Sequence, residues 1–246
     1  MPHRVLNQQE VADYLHLTAA DIERLVKSRD IPYEMRGKRL VFRKRDIDEW
    51  ASQRILKLSD KPLAEYHQKS TRATQAEFPT AAIMPDLTQP SFIAPGLTAK
   101  TKASVIRAMV DLAAGTGRVY DPRALLASVE EREALCPTAF SGGLALLHSR
   151  DHQPTFSEEP FIVLGRALQP IHFGSPDGRP TDLFFLVCCQ DVKIHLHTLA
   201  RICLMAQKSA LLAQLREAED ANSMYNYLVN TEKAVLEKQD AAEYSH

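Results

Sequence analysis

The chain has 246 residues, of which 45% are hydrophobic and 25% charged, with a net charge of −1. That suffices for one large or two ordinary globular domains, and the charge is too small to point to a partner by itself. No apolar run approaches the ~20 residues of a membrane helix; the strongest, Leu183 to Cys189, reads as a buried strand. The start, Met-Pro-His-Arg, lacks the apolar stretch of a signal peptide, so a cytoplasmic protein is expected. Cys136, Cys188, Cys189 and Cys203 form no CxxC pair, and the two adjacent cysteines point to opposite faces of a strand, which favours reduced packing residues over a disulfide or a metal pair.

Charge is spread unevenly. Residues 1–58 hold twelve Lys/Arg against nine Asp/Glu, and between Arg36 and Arg45 six basic residues occur with no acidic one. Asn7 with Glu10 resembles a capping pair, with Val11, Tyr14 and Leu15 on one helical face behind it. Thr18 with Asp21 repeats the signal ahead of Ile22, Leu25 and Val26, after a turn at His16-Leu17. Two short amphipathic helices joined this tightly form a helix-turn-helix. Ile31-Pro32-Tyr33 then leads into a hairpin turning at Gly37-Lys38, and Asp46 opens a last helix expected to bury Ile47 and Trp50.

The arrangement suits duplex DNA. The second helix fits a major groove, with Arg24 and Lys27 on its exposed face, and the wing carries Arg36, Lys38, Arg39, Arg43, Lys44 and Arg45 towards phosphates. The alternative is a hairpin whose charges are merely solvated. The strings Glu10 to Leu15, Ile31-Pro32, Arg36 to Phe42 and Asp46 to Trp50 resemble the excisionase/MerR-like helix-turn-helix family. The resemblance implies a small winged DNA-binding domain over residues 1–58.

Residues 59–97 carry five of the fourteen prolines, at 62, 79, 85, 90 and 95. Repeated proline breaks helices and ladders, so this stretch is expected to be a mobile linker spanning on the order of 35 Å. Residues 98–240 alternate helical and strand-like patterns, predicting an α/β domain with a mixed sheet flanked by helices. Its expected elements are a helix over Thr101 to Leu112, a helix opened by Asp121-Pro122, and strands at Gly143 to Leu147, Phe161 to Arg166 and Leu183 to Cys189. A long helix from about His195 to Lys208 and two shorter ones near Ser209 to Glu219 and Ala221 to Leu228 complete it.

Among nine histidines, His148 ends an apolar strand, and His195 and His197 are expected to open a helix whose free N–H groups favour anions. Two such imidazoles suit a phosphoryl site, one as nucleophile and one as donor; scattered surface histidines are the plain alternative. Arg132-Glu133-Ala134-Leu135, Thr138, Gly143 to Arg150, Pro160 to Arg166, Pro176-Asp177-Gly178 and His195 to Leu199 together resemble the mannitol/fructose class of phosphotransferase IIA domains, and most the nitrogen-regulatory IIA proteins.

The resemblance implies that His148 accepts phosphate from an HPr-like phosphocarrier protein, that His195 steadies the phosphoryl group, and that Arg132 neutralises its charge. It implies no metal and no organic cofactor. The chain departs from the family pattern at Leu147 and Ser149, where proline and glycine are usual. The leading expectation is therefore a DNA-binding regulator with a phosphorylatable domain, without membrane insertion, and a homodimer on DNA. Two alternatives stay open: a component passing phosphate to a sugar permease, and a degenerate domain that senses a partner without being phosphorylated. The operator, phosphate donor and acceptor are not legible.

Overall fold

The computed structural model describes residues 5–15, 17–74, 78, 80–150, 157 and 159–243; His16 of the expected first turn and Pro79 lie outside them. The chain begins β1 (Val5–Leu6), α1 (Gln8–Leu15), α2 (Ala19–Lys27), β2 (Glu34–Arg36), β3 (Arg39–Arg43) and α3 (Lys44–Lys57). Both capping pairs form. The Asn7 side chain takes the Glu10 N–H at 3.0 Å while Glu10 takes the Asn7 N–H at 2.7 Å, and Thr18 and Asp21 bond reciprocally in the same way. Such caps satisfy helix N–H groups that otherwise have no partner and are worth about 1 kcal/mol each.

Gly37, at φ +63°, closes the hairpin in the left-handed region. The short β1 makes the wing three-stranded, in the order β1-β3-β2. Helix α3 starts at Lys44, two residues before Asp46. Ile47 is buried as expected, but Trp50 is only half-buried and donates its indole N–H to the Asp30 carbonyl.

The stretch expected to be a mobile linker instead carries ordered structure: α4 (Asp60–Thr74), α5 (Met84–Leu87), a 3₁₀ turn at Pro90–Phe92 and β4 (Ile93–Leu97). Each described proline there occupies a position that tolerates it. Pro62 lies in the first turn of α4, Pro85 in that of α5, Pro90 opens the 3₁₀ turn, and Pro95 sits on an edge strand beside a register shift. Leu63, His67 and Ser70 of α4 are buried, so its inner face is core.

The remainder is α6 (Lys102–Gly115), α7 (Pro122–Leu135), β5 (Ala139–Phe140), β6 (Leu144–His148), β7 (Phe161–Ile171), β8 (Thr181–Cys188), α8 (Val192–Lys208), α9 (Leu211–Glu217) and α10 (Ala221–Glu243). The five-stranded sheet runs β4-β7-β8-β6-β5, with β4–β7 and β6–β8 parallel and the other pairs antiparallel. This is the expected mixed sheet flanked by helices. Helix α10 runs well past the expected Leu228, because Glu232 and Val235 are buried beyond it.

The period-two alternation of the strands sorts the core into two faces. Leu144, Leu146, Ile162, Leu164, Phe185 and Val187 face α8, in one apolar cluster that continues without a break into the helix-turn-helix core at Leu15, Ile47 and Ile55. Ala145, Leu147, Val163, Phe184 and Leu186 face α6 and α7 on the other side. Cys188 and Cys189 divide between the two clusters as successive residues of an extended chain should, and none of the four cysteines forms a disulfide.

A buried polar network ties α4, α8 and α10 together. Arg201 Nε donates to His67 Nε2 at 2.6 Å, both guanidinium Nη atoms to the Ala81 carbonyl at 3.1 Å, and Nη1 also to the fully buried Glu232 carboxylate. Glu232 in turn accepts the Ile83 and Met84 N–H groups at 2.9 Å each, which neutralises and saturates the pair. Burial, then the Arg201 cation, then His197, stacked at 5.0 Å, hold His67 well below its ordinary pKa of 6.5.

An unfolded chain therefore takes up a proton near pH 6.5 that the folded His67 refuses, so its contribution to stability is full above that pH and falls as the pH drops below it. The thermal midpoint is expected to fall between pH 7.5 and 5.5, and to fall less steeply in His67→Gln, by up to about 1.4 kcal/mol per pH unit below 6.5. Glu232 and His197 are common to both proteins, so parallel slopes contradict this role for His67.

Candidate functional site

His148 is the last residue of β6, and its place in the alternation turns it to the α8 side of the sheet. The Leu146 carbonyl lies 2.9 Å from His148 Nδ1. A carbonyl only accepts, so Nδ1 carries the proton and Nε2 keeps its lone pair. That lone pair receives the Nε–H of Arg132, on the last turn of α7, at 3.0 Å. Arg132 Nη1 is held by the Cys136 carbonyl at 3.0 Å, and Nη2 is buried without a hydrogen-bond partner. The His195 ring, on α8, stands 4.8 Å from that of His148. His148, His195 and Arg132 thus meet at one point, from a strand end and two helices on opposite faces of the sheet.

The surroundings fix these three groups. Glu133 is buried, bonds the Thr138 N–H and hydroxyl at 3.1 and 2.6 Å, and pairs with Lys102 at 2.6 Å, which pins the segment leading from α7 into β5. Beyond His148, the Arg150 N–H bonds the Ser128 carbonyl and hydroxyl, anchoring the exit of β6 to α7. Leu147 pairs with Leu186, and His148 with Val187, so the ladder runs unbroken to the histidine. A residue with its own N–H before His148 is compatible with that pairing, where proline removes a donor.

His195 does not open its helix. Helix α8 starts at Val192, and the Asp191 side chain already caps the Lys193 and Ile194 N–H groups at 2.7 and 3.1 Å. The His195 N–H is spent on the Asp191 carbonyl at 3.0 Å. The free N–H groups anticipated for an anion are therefore taken, and His195 contributes through its ring. His197 is turned away from His148, to Ser70 of α4 at 2.8 Å.

Sequence reading missed Ser52, whose hydroxyl lies 3.3 Å from His195 Nε2 across 143 residues of chain. No local signal marks such a pair.

The basic residues divide into two groups. Arg24 and Lys27 project from α2, three-quarters exposed, and pair with Asp21 and Glu23 of the same helix. Arg36, Lys38, Arg39 and Arg43 are exposed on the wing, Arg36 and Arg43 flanking Glu34. Lys44 and Arg45 do not join them. Lys44 is half-buried between Asp48 at 2.8 Å and the face of Tyr14, and Arg45 turns 4.0 Å from Glu131 of α7. Among the described residues no group of three or more His, Cys, Asp or Glu side chains is placed to hold a metal, and no helix is long and apolar enough to cross a membrane.

Comparison with known proteins agrees with this architecture. The family model for the phosphoenolpyruvate-dependent sugar phosphotransferase system, EIIA 2, matches residues 86–231, and one for a helix-turn-helix domain matches residues 5–55. A nitrogen regulatory protein of Bradyrhizobium diazoefficiens is 33% identical over 146 residues, covering 58% of this chain and 92% of the relative. Two solved structures share the fold. The nitrogen regulatory protein IIA-Ntr of Neisseria meningitidis superposes with a TM-score of 0.54 at 18% identity, over 59% of this chain and 99% of that one. The IIA mannitol enzyme of Escherichia coli, in complex with its phosphorylated IIB enzyme, gives 0.51 at 16% identity, over 58% and 97%. The chain belongs to the phosphoenolpyruvate-dependent sugar phosphotransferase system EIIA 2 family, with a helix-turn-helix domain at its N-terminal end.

Proposed function

We propose that the chain is a cytoplasmic DNA-binding regulator whose α/β domain accepts a phosphoryl group on His148 Nε2 from a phosphocarrier protein. The observation that carries this reading is the pair of contacts on the His148 ring: the Leu146 carbonyl at Nδ1 assigns the proton to that nitrogen, leaving Nε2 as an unprotonated nucleophile beside a guanidinium. In the transfer the donor's P–N bond breaks as a new P–N bond forms at His148 Nε2, with no proton leaving the acceptor ring. Arg132 gives up its bond to Nε2 as the nucleophile turns to phosphorus. Its guanidinium, with Nη2 still unspent, then meets the phosphoryl oxygens, where charge-assisted bonds are strongest. The His195 ring supplies a second donor. No cofactor is needed for this step.

Incubation with a phosphorylated phosphocarrier is expected to give an acid-labile, base-stable label. His148→Ala should abolish it. His195→Ala should slow it or shorten its lifetime, and Arg132→Ala should slow it about a hundredfold, the usual effect of removing a positioned donor. Label that persists in His148→Ala contradicts the assignment. Burial of both rings favours one rival, a sensor whose histidines stay unphosphorylated, and the absence of label under all conditions would establish that rival.

The DNA half rests on the exposed faces of α2 and the wing. One such module makes few phosphate contacts, so a homodimer on DNA is expected to be the binding species. Affinity for duplex DNA should fall steeply between 50 and 200 mM salt, as counterion release requires. Arg39→Ala with Arg43→Ala should weaken binding and flatten the salt response, whereas equal affinity and equal slopes in the two proteins remove DNA from the account.

A further inference from the structure

We propose that α3, the last helix of the helix-turn-helix module, is a removable cover on the phosphoryl site, so that this module and the phosphoryl donor occupy the same face of the α/β domain in turn. The inference rests on His148 as the accepting residue. A donor protein must bring phosphorus in line with Nε2 at about 3–3.5 Å. His148, His195 and Arg132 are 2%, 0% and 1% exposed, so no donor reaches them while the chain keeps this arrangement.

The covering elements are identified by their contacts. Ser52 of α3, 2% exposed, directs its hydroxyl hydrogen to the Asp48 carbonyl at 3.1 Å and presents its lone pair to His195 Nε2 at 3.3 Å. It thus takes the imidazole N–H that the transfer assigns to a phosphoryl oxygen. At the start of α3, Arg45 lies 4.0 Å from Glu131, which also stands 3.6 Å from Arg150 just past His148. The connection onwards runs along α8, with Gln207 donating to the Leu58 carbonyl at 3.1 Å and Lys208 pairing with Asp60 at 2.7 Å.

The polar contacts over the site are individually weak: one long neutral hydrogen bond and a partly exposed ion pair. Apolar packing of α3 and α4 on α8 supplies the rest of the closure. The exposed side chains of α2 and the wing take no part in it. The closed chain therefore seals the phosphoryl site while leaving the DNA-reading face open. Because Ser52 and the phosphoryl group compete for the same His195 N–H, linkage requires that phosphorylation of His148 shift the chain towards the open arrangement.

Diethyl pyrocarbonate, which carbethoxylates accessible neutral imidazoles, tests the cover on the full chain without any donor protein, with modification read peptide by peptide. In the wild type, exposed His172 should react at least tenfold faster than His148 and His195. Ser52→Trp, which has no room under α3, should raise the rates at His148 and His195 tenfold or more while His67 and His197 stay slow. Glu131→Arg, a surface change that sets a third cation beside Arg45 and Arg150, should raise them severalfold. Labelling by the phosphorylated phosphocarrier should rise in the same order.

His148 as reactive as His172 in the wild type overturns the proposal. So does labelling of both variants at the wild-type rate, which would leave the phosphoryl reading intact. If Ser52→Trp also exposes His67 and His197, the chain has come apart and Glu131→Arg decides, an unchanged His148 there counting against the cover. No label on any protein, with His148 open to the reagent in a variant, removes the phosphoryl reading and this proposal with it.

Discussion

Helix α8 is buried from both sides, against the sheet and against α3 and α4, and most of the molecule's character follows from that double burial. Twelve of its seventeen residues are buried, including His195, His197, Thr198 and Arg201. A helix apolar all round is a core helix, and one with polar groups on its buried faces must find each of them a partner. Arg201 finds Glu232 and His67, His197 finds Ser70, and His195 meets Ser52. Three of those four partners lie in the first 74 residues. The α/β domain alone does not supply what its own central helix needs.

Much of this was legible in the sequence where the physics is local. Capping pairs, the glycine turn of the wing and the strand alternation each depend on residues within a few positions of one another, and each appears where the residues predict it. His148, His195 and Arg132 were identified by resemblance, and the structure brings them together. The linker reading failed because proline was counted as a breaker without regard to place. Pro62 in a first turn and Pro95 on an edge strand cost their elements little. The start of α8 was misplaced because Val192-Lys193-Ile194 alternates apolar and charged residues as a strand does, while the Asp191 cap marks the helix start. Long-range pairs such as Ser52 with His195 have no periodicity and leave no trace.

The site combines two demands that conflict. Phosphoryl acceptance calls for an unprotonated, accessible imidazole beside a cation. The resting chain provides the tautomer and the cation but withholds the access. The proposed cover, drawn from the helix-turn-helix module, resolves the conflict, because it makes access a variable that a partner or a phosphoryl group can shift. It also gives the two halves of the chain a physical reason to be joined, since the state of one becomes a constraint on the packing of the other. Arg45 illustrates the cost, a cation taken from the wing and turned to Glu131 of α7.

Hydrogen exchange on the full chain, before and after phosphorylation of His148, tests this coupling most directly. If the cover and the phosphoryl group exclude each other, protection should fall across residues 44–57 of α3, while residues 60–74 of α4 and the helices α6 and α7 keep theirs. Unchanged protection over residues 44–57 in a chain fully phosphorylated at His148 would contradict it.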